Sequence, residues 1–89
     1  MKGEARMPRC DKLLQSARNN PAGLRYAELC QLAECYGWEF ARQKGSHRMY
    51  KRIGSRELMN FQDDGNGGAK PAQVRALLAA LREMPVGGE

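Results

Sequence analysis

The single histidine of this sequence, His47, follows a Gly45-Ser46 pair in a short basic segment. Histidine is the side chain whose ordinary pKa, about 6.5, allows proton exchange near neutral pH. RNA cleavage needs a base that removes a 2′-hydroxyl proton and cations that stabilise the charge developing on the phosphate. His47 is therefore the candidate acid/base residue. Two roles stay open for Ser46, which either orients the histidine or donates to a phosphate oxygen.

Positive charge is concentrated around this histidine. The chain has 89 residues and a formal net charge of +5. Residues 38–56 hold six basic side chains and one acidic one, so this segment accounts for the whole net charge. Such clustering indicates a surface that binds a polyanion rather than an ordinary solvated surface. The side chains predicted to bind RNA phosphates are Arg42, Lys44, Arg48, Lys51 and Arg52.

Aromatic residues lie among these basic ones. Sites for single-stranded RNA commonly stack bases on aromatic rings, which makes Tyr50 a candidate for base stacking. Trp38 and Phe40 alternate along one strand, and this pattern favours core packing for both.

Other kinds of site have less support in the sequence. The glycines at 65–68 lack the Lys and Ser/Thr of a phosphate-binding loop. Asp63 and Asp64 are adjacent in a loop, which is a weak basis for a metal site. We therefore expect no metal and no small-molecule cofactor.

The three cysteines have no CxxC spacing, and a single histidine contributes little toward a zinc site. Free, partly buried thiols in a reducing compartment are the expectation for Cys10, Cys30 and Cys35.

Hydrophobic periodicity predicts the elements that position these residues. Helices are expected at residues 11–18 and 26–36 and from Lys70-Pro71 onward. Strands are expected at residues 38–43, 47–52 and 57–62, with turns at 44–46 and 54–55. The order α-α-β-β-β-α predicts an α+β fold, with the helices on one face of a three-stranded antiparallel sheet.

The length predicts one domain, at residues 9–84, between a disordered N-terminus at 1–8 and a flexible C-terminus at 85–89. The loop at 63–68 is expected to be flexible because of its composition. No apolar run approaches the roughly 18 residues of a membrane span. No apolar stretch of a secretory signal follows the charged N-terminus. We therefore expect a cytoplasmic protein with no membrane partner.

The run Gly-Trp-Glu-Phe-Ala-Arg-Gln-Lys-Gly-Ser-His-Arg-Met-Tyr at residues 37–50 resembles the signature of HicA-type mRNA interferase toxins. In that family a Gly-Ser/Thr-His turn follows a strand that begins with Gly-aromatic. An aliphatic-aromatic pair follows the histidine, here Met49-Tyr50. Residues 24–35 match the family's leading helix, and the Lys-Pro-Ala-Gln-Val-Arg run at 70–75 matches the start of its closing helix. The resemblance covers about residues 13–83.

This resemblance implies a fold like that of double-stranded-RNA-binding domains. It also implies an endoribonuclease that cleaves mRNA, the toxin of a type II toxin–antitoxin system, with a HicB-like antitoxin as its protein partner. The family's catalytic histidine falls on His47, and Gly45 and Ser46 form its turn. Residues 58–62 depart from the family's Val-Pro-(His/x)-His ending, so no second histidine is present. Catalysis with one histidine predicts a slow enzyme.

Two other functions remain open from the sequence. A non-catalytic RNA-binding domain of similar fold would carry a lysine cluster at the start of the last helix, where this chain has only Lys70 and Arg75. A basic protein-interaction module would dock an acidic partner on the hairpin. Substitution of His47 separates RNA cleavage from both alternatives, because binding to a partner tolerates its loss and RNA cleavage does not.

Overall fold

Three helices cover one face of a three-stranded sheet. The computed structural model describes residues 6–83, and the side chains of residues 10–82. Its elements are α1 (Arg6–Asn19), a short 3-10 turn (Pro21–Gly23), α2 (Tyr26–Cys35), β1 (Trp38–Lys44), β2 (His47–Arg52), β3 (Leu58–Gln62) and α3 (Pro71–Glu83). The strands pair antiparallel in the order β1-β2-β3. This confirms the predicted α+β arrangement; the features predicted for residues 1–5 and 85–89 lie outside the described residues.

The core is formed by alternate strand residues and the inner sides of the helices. Trp38, Tyr50 and Phe61 each come from a different strand, and all three are fully buried. Burial of a large apolar side chain contributes roughly 1.5–3 kcal/mol. The helices contribute Leu13 and Ala17 of α1, Leu29, Cys30, Leu32 and Ala33 of α2, and Val74 and Leu77 of α3.

Phe40 corrects the prediction that it belongs to the core. Its ring contacts Tyr50 edge-on, with centroids 5.9 Å apart. Even so, 48% of Phe40 is exposed. Phe40 lies on β1, the edge strand, which has a neighbouring strand on one side only, although Trp38 at the start of the same strand is buried.

The first helix begins at Arg6, earlier than the predicted start at residue 11, and thus includes residues 6–8. Pro8 is compatible with this start because the first turn of a helix needs no N–H donor. Cys10 of α1 forms a disulfide with Cys35 at the end of α2, with Cα atoms 5.9 Å apart. The prediction of free thiols is therefore wrong for Cys10 and Cys35. These residues are 25 positions apart in the sequence, and that spacing alone does not show that they are neighbours in the fold. Cys30 is free and buried, as predicted.

Two carboxylates accept hydrogen bonds from the backbone of the loop at 63–68. Asp63 Oδ1 accepts hydrogen bonds from the backbone N–H groups of Gly65, at 2.8 Å, and Gly67, at 2.9 Å. Asp64 Oδ1 accepts from Asn66, at 2.7 Å, and from Gly68, at 3.0 Å. These bonds satisfy the backbone donors of a glycine-rich segment that would otherwise need water.

We predict that the Asp64 charge stabilises the fold above about pH 4 and ceases to do so at lower pH. Backbone hydrogen bonds from Asn66 and then Gly68 hold the pKa of Asp64 below its ordinary value of 3.8. A depressed folded-state pKa gives stability that is present above the unfolded pKa and is lost as pH falls through the folded pKa. In urea unfolding, Asp64→Asn should be less stable than the parent near neutral pH, and the difference should shrink in acid.

Asp11→Asn, at an exposed position of α1, is the matched control and should change the urea midpoint little at either pH. A difference between the parent and Asp64→Asn that does not vary with pH would contradict this account.

Candidate functional site

His47 is the first residue of β2, and its side chain is exposed on the face of the sheet opposite the helices. Gly45 and Ser46 form the two-residue turn before it, and Gly45 adopts a φ of +61°, which favours glycine. We call the helix-free side of the sheet the open face. Its residues are Glu39, Arg42 and Lys44 of β1, His47, Met49 and Lys51 of β2, and Leu58, Asn60 and Gln62 of β3.

A hydrogen bond from the adjacent strand orients the histidine ring. His47 Nδ1 lies 2.9 Å from Asn60 Oδ1. An amide oxygen only accepts hydrogen bonds, so the neutral imidazole carries its proton on Nδ1. The lone pair of Nε2 is then available to act as a base.

A β-bulge brings two cations to the same face. The β1–β2 register shifts between Phe40 and Arg42, with Ala41 as the extra residue. After the bulge Arg42 lies opposite Met49, and Lys44 lies directly opposite His47. Residues in direct opposition have Cβ atoms about 5 Å apart, so the Lys44 chain starts next to the histidine ring.

Lys51 is on the open face but further along it. It is four residues from His47 on the same strand, a distance of about 13 Å at 3.3 Å per residue. It lies between Glu39 on β1 and Leu58 on β3.

Arg48 lies on the side of the sheet that carries the helices. Its guanidinium carbon is 5.6 Å from the centroid of the Tyr26 ring and 5.9 Å from that of Phe40. Contact with the Tyr50 hydroxyl raises the pKa of Arg48. Arg48 and His47 therefore lie on opposite faces of the sheet, because alternate residues of a strand point to opposite faces. The phosphate-binding role of Arg48 stays a prediction.

Arg52 also lies on the helix side, and its phosphate-binding role likewise stays a prediction. Its guanidinium carbon is 5.9 Å from the centroid of the Trp38 ring. It forms an ion pair with Glu57, which follows it in the β2–β3 turn. The predicted phosphate-binding set thus divides, with Arg42, Lys44 and Lys51 on the face that carries His47.

Tyr50 is a core residue, which corrects its prediction as a base-stacking residue. Only 1% of it is exposed. Its ring packs 5.3 Å from the centroid of Phe61, and its hydroxyl donates to Glu34 Oε2 at 3.3 Å. Desolvation raises the pKa of Tyr50 well above its ordinary value, so the hydroxyl stays protonated at neutral pH. Desolvation likewise raises the pKa of Tyr26 to about 12.

Two side-chain hydrogen bonds connect Lys70, the residue before α3, to the turn at 45–46. Lys70 Nζ donates to Gln62 Oε1 at 3.0 Å, and Gln62 Nε2 donates to Ser46 Oγ at 3.1 Å. The Gln62 backbone N–H donates to Gln73 Oε1 at 2.8 Å, which fixes the end of β3 to α3. On the other side of the turn, Gln43 Nε2 donates to the Gly45 carbonyl at 3.1 Å.

Asn60, Gln62 and Lys70 are site residues that the sequence prediction missed. Their contacts depend on the β2–β3 register, in which Gln62 lies opposite His47 and Asn60 lies opposite Met49. The alternation of residues 58–62 was the available signal, since it places Asn60 and Gln62 on the side opposite Phe61. Asn60 is the residue that orients the His47 ring through its hydrogen bond, a role that the sequence leaves open for Ser46.

Within residues 10–82, no three His, Cys, Asp or Glu side chains are grouped as metal ligands. None of the described helices is long and apolar enough to cross a membrane. Comparison of the chain with protein-family models, with curated proteins and with solved structures finds no match.

We predict that Tyr50 contributes to stability and not to RNA contact. Tyr50→Ala should lower the free energy of unfolding by about 3–5 kcal/mol, as removal of a buried aromatic ring usually does. Tyr50→Phe loses the hydrogen bond to Glu34 and the contact of the hydroxyl group with Arg48, which costs about 1 kcal/mol. Tyr50→Leu removes the ring but keeps a large apolar side chain in the core, and it should bind single-stranded RNA like the parent. Urea unfolding and RNA-binding titrations measure the two effects; weakened RNA binding by a folded Tyr50→Leu would contradict the assignment.

We also predict that Asn60 sets the tautomer of His47. Because the chain has one histidine, ring ¹⁵N chemical shifts can be read without ambiguity. The parent should show a protonated Nδ1 and a free Nε2 above the pH at which the ring becomes neutral. Asn60→Ala should return the ring to the tautomer mixture of an unrestrained imidazole, whereas Asn19→Ala, an exposed change in α1, should leave it as in the parent. Identical shifts in parent and Asn60→Ala would sink this role.

Proposed function

We propose that this chain is an endoribonuclease of the HicA type, the toxin of a type II toxin–antitoxin system, with His47 as its general acid/base. The supporting observation is the hydrogen bond between His47 Nδ1 and Asn60 on the open face. It leaves Nε2 as a base on an exposed surface that carries Arg42 and Lys44. A metal-independent cleavage of mRNA needs these groups and no cofactor.

In the proposed reaction, His47 Nε2 takes the proton of a 2′-hydroxyl group. The 2′-oxygen forms a bond to the adjacent phosphorus, and the bond from phosphorus to the 5′-oxygen breaks, leaving its electron pair on that oxygen. The 5′-oxygen takes a proton from water, and the imidazolium proton neutralises the resulting hydroxide. The products are one strand that ends in a 2′,3′-cyclic phosphate and one that begins with a 5′-hydroxyl.

The open-face cations stabilise the charge that accumulates on the phosphate. Lys44 begins opposite His47, and Arg42 lies one pair further along β1. Arginine can engage two phosphate oxygens at once, and preplaced donors of this kind often give the largest contribution to catalysis. Because the second proton passes through water rather than through a second histidine, the expected enzyme is slow.

The family part of the proposal rests on the residue patterns at 37–50 and 70–75 and on the α-α-β-β-β-α order. A fold like that of double-stranded-RNA-binding domains, mRNA as the substrate and a HicB-like antitoxin as the partner follow from it. A cytoplasmic location also follows. A reducing cytoplasm would open the disulfide between Cys10 and Cys35. The proposed site residues lie on the strands and at Lys70, away from α1, so the proposal does not depend on that bond.

We predict that the purified parent cleaves single-stranded RNA in the presence of a metal chelator, and that His47→Ala is slower by about 10²–10⁴-fold. Lys44→Ala should be slower by about tenfold, since it loses a charge-assisted contact of roughly 1.4 kcal/mol. Arg75→Ala removes the same charge from an exposed position on α3 and is the matched control. Gel electrophoresis of end-labelled RNA gives the rates, and mass spectrometry identifies the cyclic phosphate. Induced in cells, the parent should arrest growth and fragment mRNA, whereas His47→Ala should do neither.

Three outcomes separate the alternatives. Equal cleavage by the parent and His47→Ala would place the chemistry elsewhere. RNA binding without cleavage would favour a non-catalytic RNA-binding domain; three open-face cations would give a log–log salt dependence with a slope of about −2. Neither binding nor cleavage would favour a protein-interaction module.

A further inference from the structure

We infer that Lys70, Gln62 and Ser46 form a polarised hydrogen-bond chain that frees the Ser46 hydroxyl proton for the substrate phosphate. This inference rests on the proposed function and adds a donor beside His47. It gives the Lys70-Pro71 start of α3, which the cleavage reaction above does not use, a part in the site.

The direction of the chain follows from the chemistry of lysine. An ammonium group can only donate, so Lys70 Nζ fixes the Gln62 amide with its oxygen toward the lysine. The amide nitrogen then points to Ser46 and donates to its Oγ. Ser46 Oγ is therefore an acceptor in this chain, and its own O–H proton remains available to donate elsewhere.

The hydrogen-bond chain ends at Ser46, where a phosphate would lie beside His47. Ser46 is exposed and immediately precedes the histidine, and Gln62 lies opposite His47 in the β2–β3 pair. The Gln62 backbone is anchored to Gln73 of α3, and the turn is held from β1 by Gln43. Hydrogen bonds from β3 and from β1 thus hold the turn that carries the Ser46 hydroxyl group before any substrate binds.

The Lys70 charge polarises this hydrogen-bond chain as far as the turn, although the ammonium group itself lies outside the turn. Hydrogen bonds to a charged group are stronger than neutral ones, and each bond in a series polarises the next. A Ser46 oxygen that accepts from a polarised amide becomes a better O–H donor to a non-bridging phosphate oxygen. In this account Ser46 is a catalytic residue, and Gln62 and Lys70 are positioning residues.

Gln62→Glu tests the direction of the chain with almost no change of shape. A carboxylate still accepts from Lys70, but it can only accept from Ser46, so it draws the hydroxyl proton away from the substrate. We expect Gln62→Glu and Ser46→Ala to lower kcat by similar factors, about 10²- to 10³-fold, because removal of one preplaced donor has effects of this order. KM should change little, and Ser46→Thr, which keeps the hydroxyl, should retain most of the activity.

The double variant separates this effect from simple charge repulsion. If the carboxylate acts by capturing the Ser46 proton, Ser46→Ala with Gln62→Glu should be no slower than Ser46→Ala alone. If the carboxylate instead repels RNA directly, Gln62→Glu should slow Ser46→Ala by the same factor by which it slows the parent. That result would overturn the inference. Equal losses in Ser46→Thr and Ser46→Ala would also overturn it, since they would indicate a packing role.

The chain can also be observed without catalysis. The side-chain amide signals of Gln62 in ¹H–¹⁵N spectra should shift in Ser46→Ala and in Lys70→Met. They should stay unchanged in Lys51→Met, which removes the same charge from a position opposite Leu58, four residues away along β3. Unshifted signals would overturn the chain even if the parent cleaves RNA. Shifted signals with no cleavage by the parent would instead refute the proposed function, and with it the catalytic role of Ser46.

Discussion

Burial of the Tyr50 ring fixes the register of β2, and the positions of the site residues follow from that register. The ring is 1% exposed and packs between Phe40 and Phe61 of the two neighbouring strands. Side chains alternate along a strand, so a shift of one residue would expose Tyr50 and turn His47 toward the helices. Roughly 1.5–3 kcal/mol of burial energy opposes that shift. The packing of the core on one face thereby holds the histidine on the other face, beside Asn60.

The bulge in β1 determines which face of the sheet carries the cations of that strand. If β1 had no bulge, regular pairing of the same sequence would place Arg42 opposite Arg48 on the helix side and Gln43 opposite His47. Because Ala41 is bulged out of the pairing, Arg42 and Lys44 come to the open face. Bulges often re-aim side chains next to functional sites, and here the bulge changes the face of every residue after it in β1. Two like charges in direct opposition, Arg42 and Arg48, are avoided at the same time.

Helix and strand periodicity was sufficient to predict the element order and a turn just before His47. It failed where a contact depends on the pairing of distant segments. A bulge leaves no clear mark in the alternation of residues 38–43, so the sequence predicts one group of cations, which the sheet in fact divides between its two faces. The hydrogen bond to Asn60 depends on the β2–β3 register, and the disulfide of Cys10 depends on how α1 packs against α2. Tyr50 was misassigned because an aromatic residue among basic ones suits an RNA site and a core strand equally well.

The groups that support the site are amides rather than carboxylates. Asn60 orients the histidine and Gln62 orients the serine, and each does so without adding negative charge. Among the described strand residues of the open face, Glu39 is the one acidic side chain, and it lies beside Lys51 at the far end. A carboxylate at position 60 would stabilise the imidazolium form and favour proton transfer, but it would also repel a phosphate backbone. An amide keeps the surface attractive to a polyanion and gives weaker activation of the base. For the proposed nuclease, this choice favours RNA affinity over turnover, which is a physical reason to expect a slow enzyme.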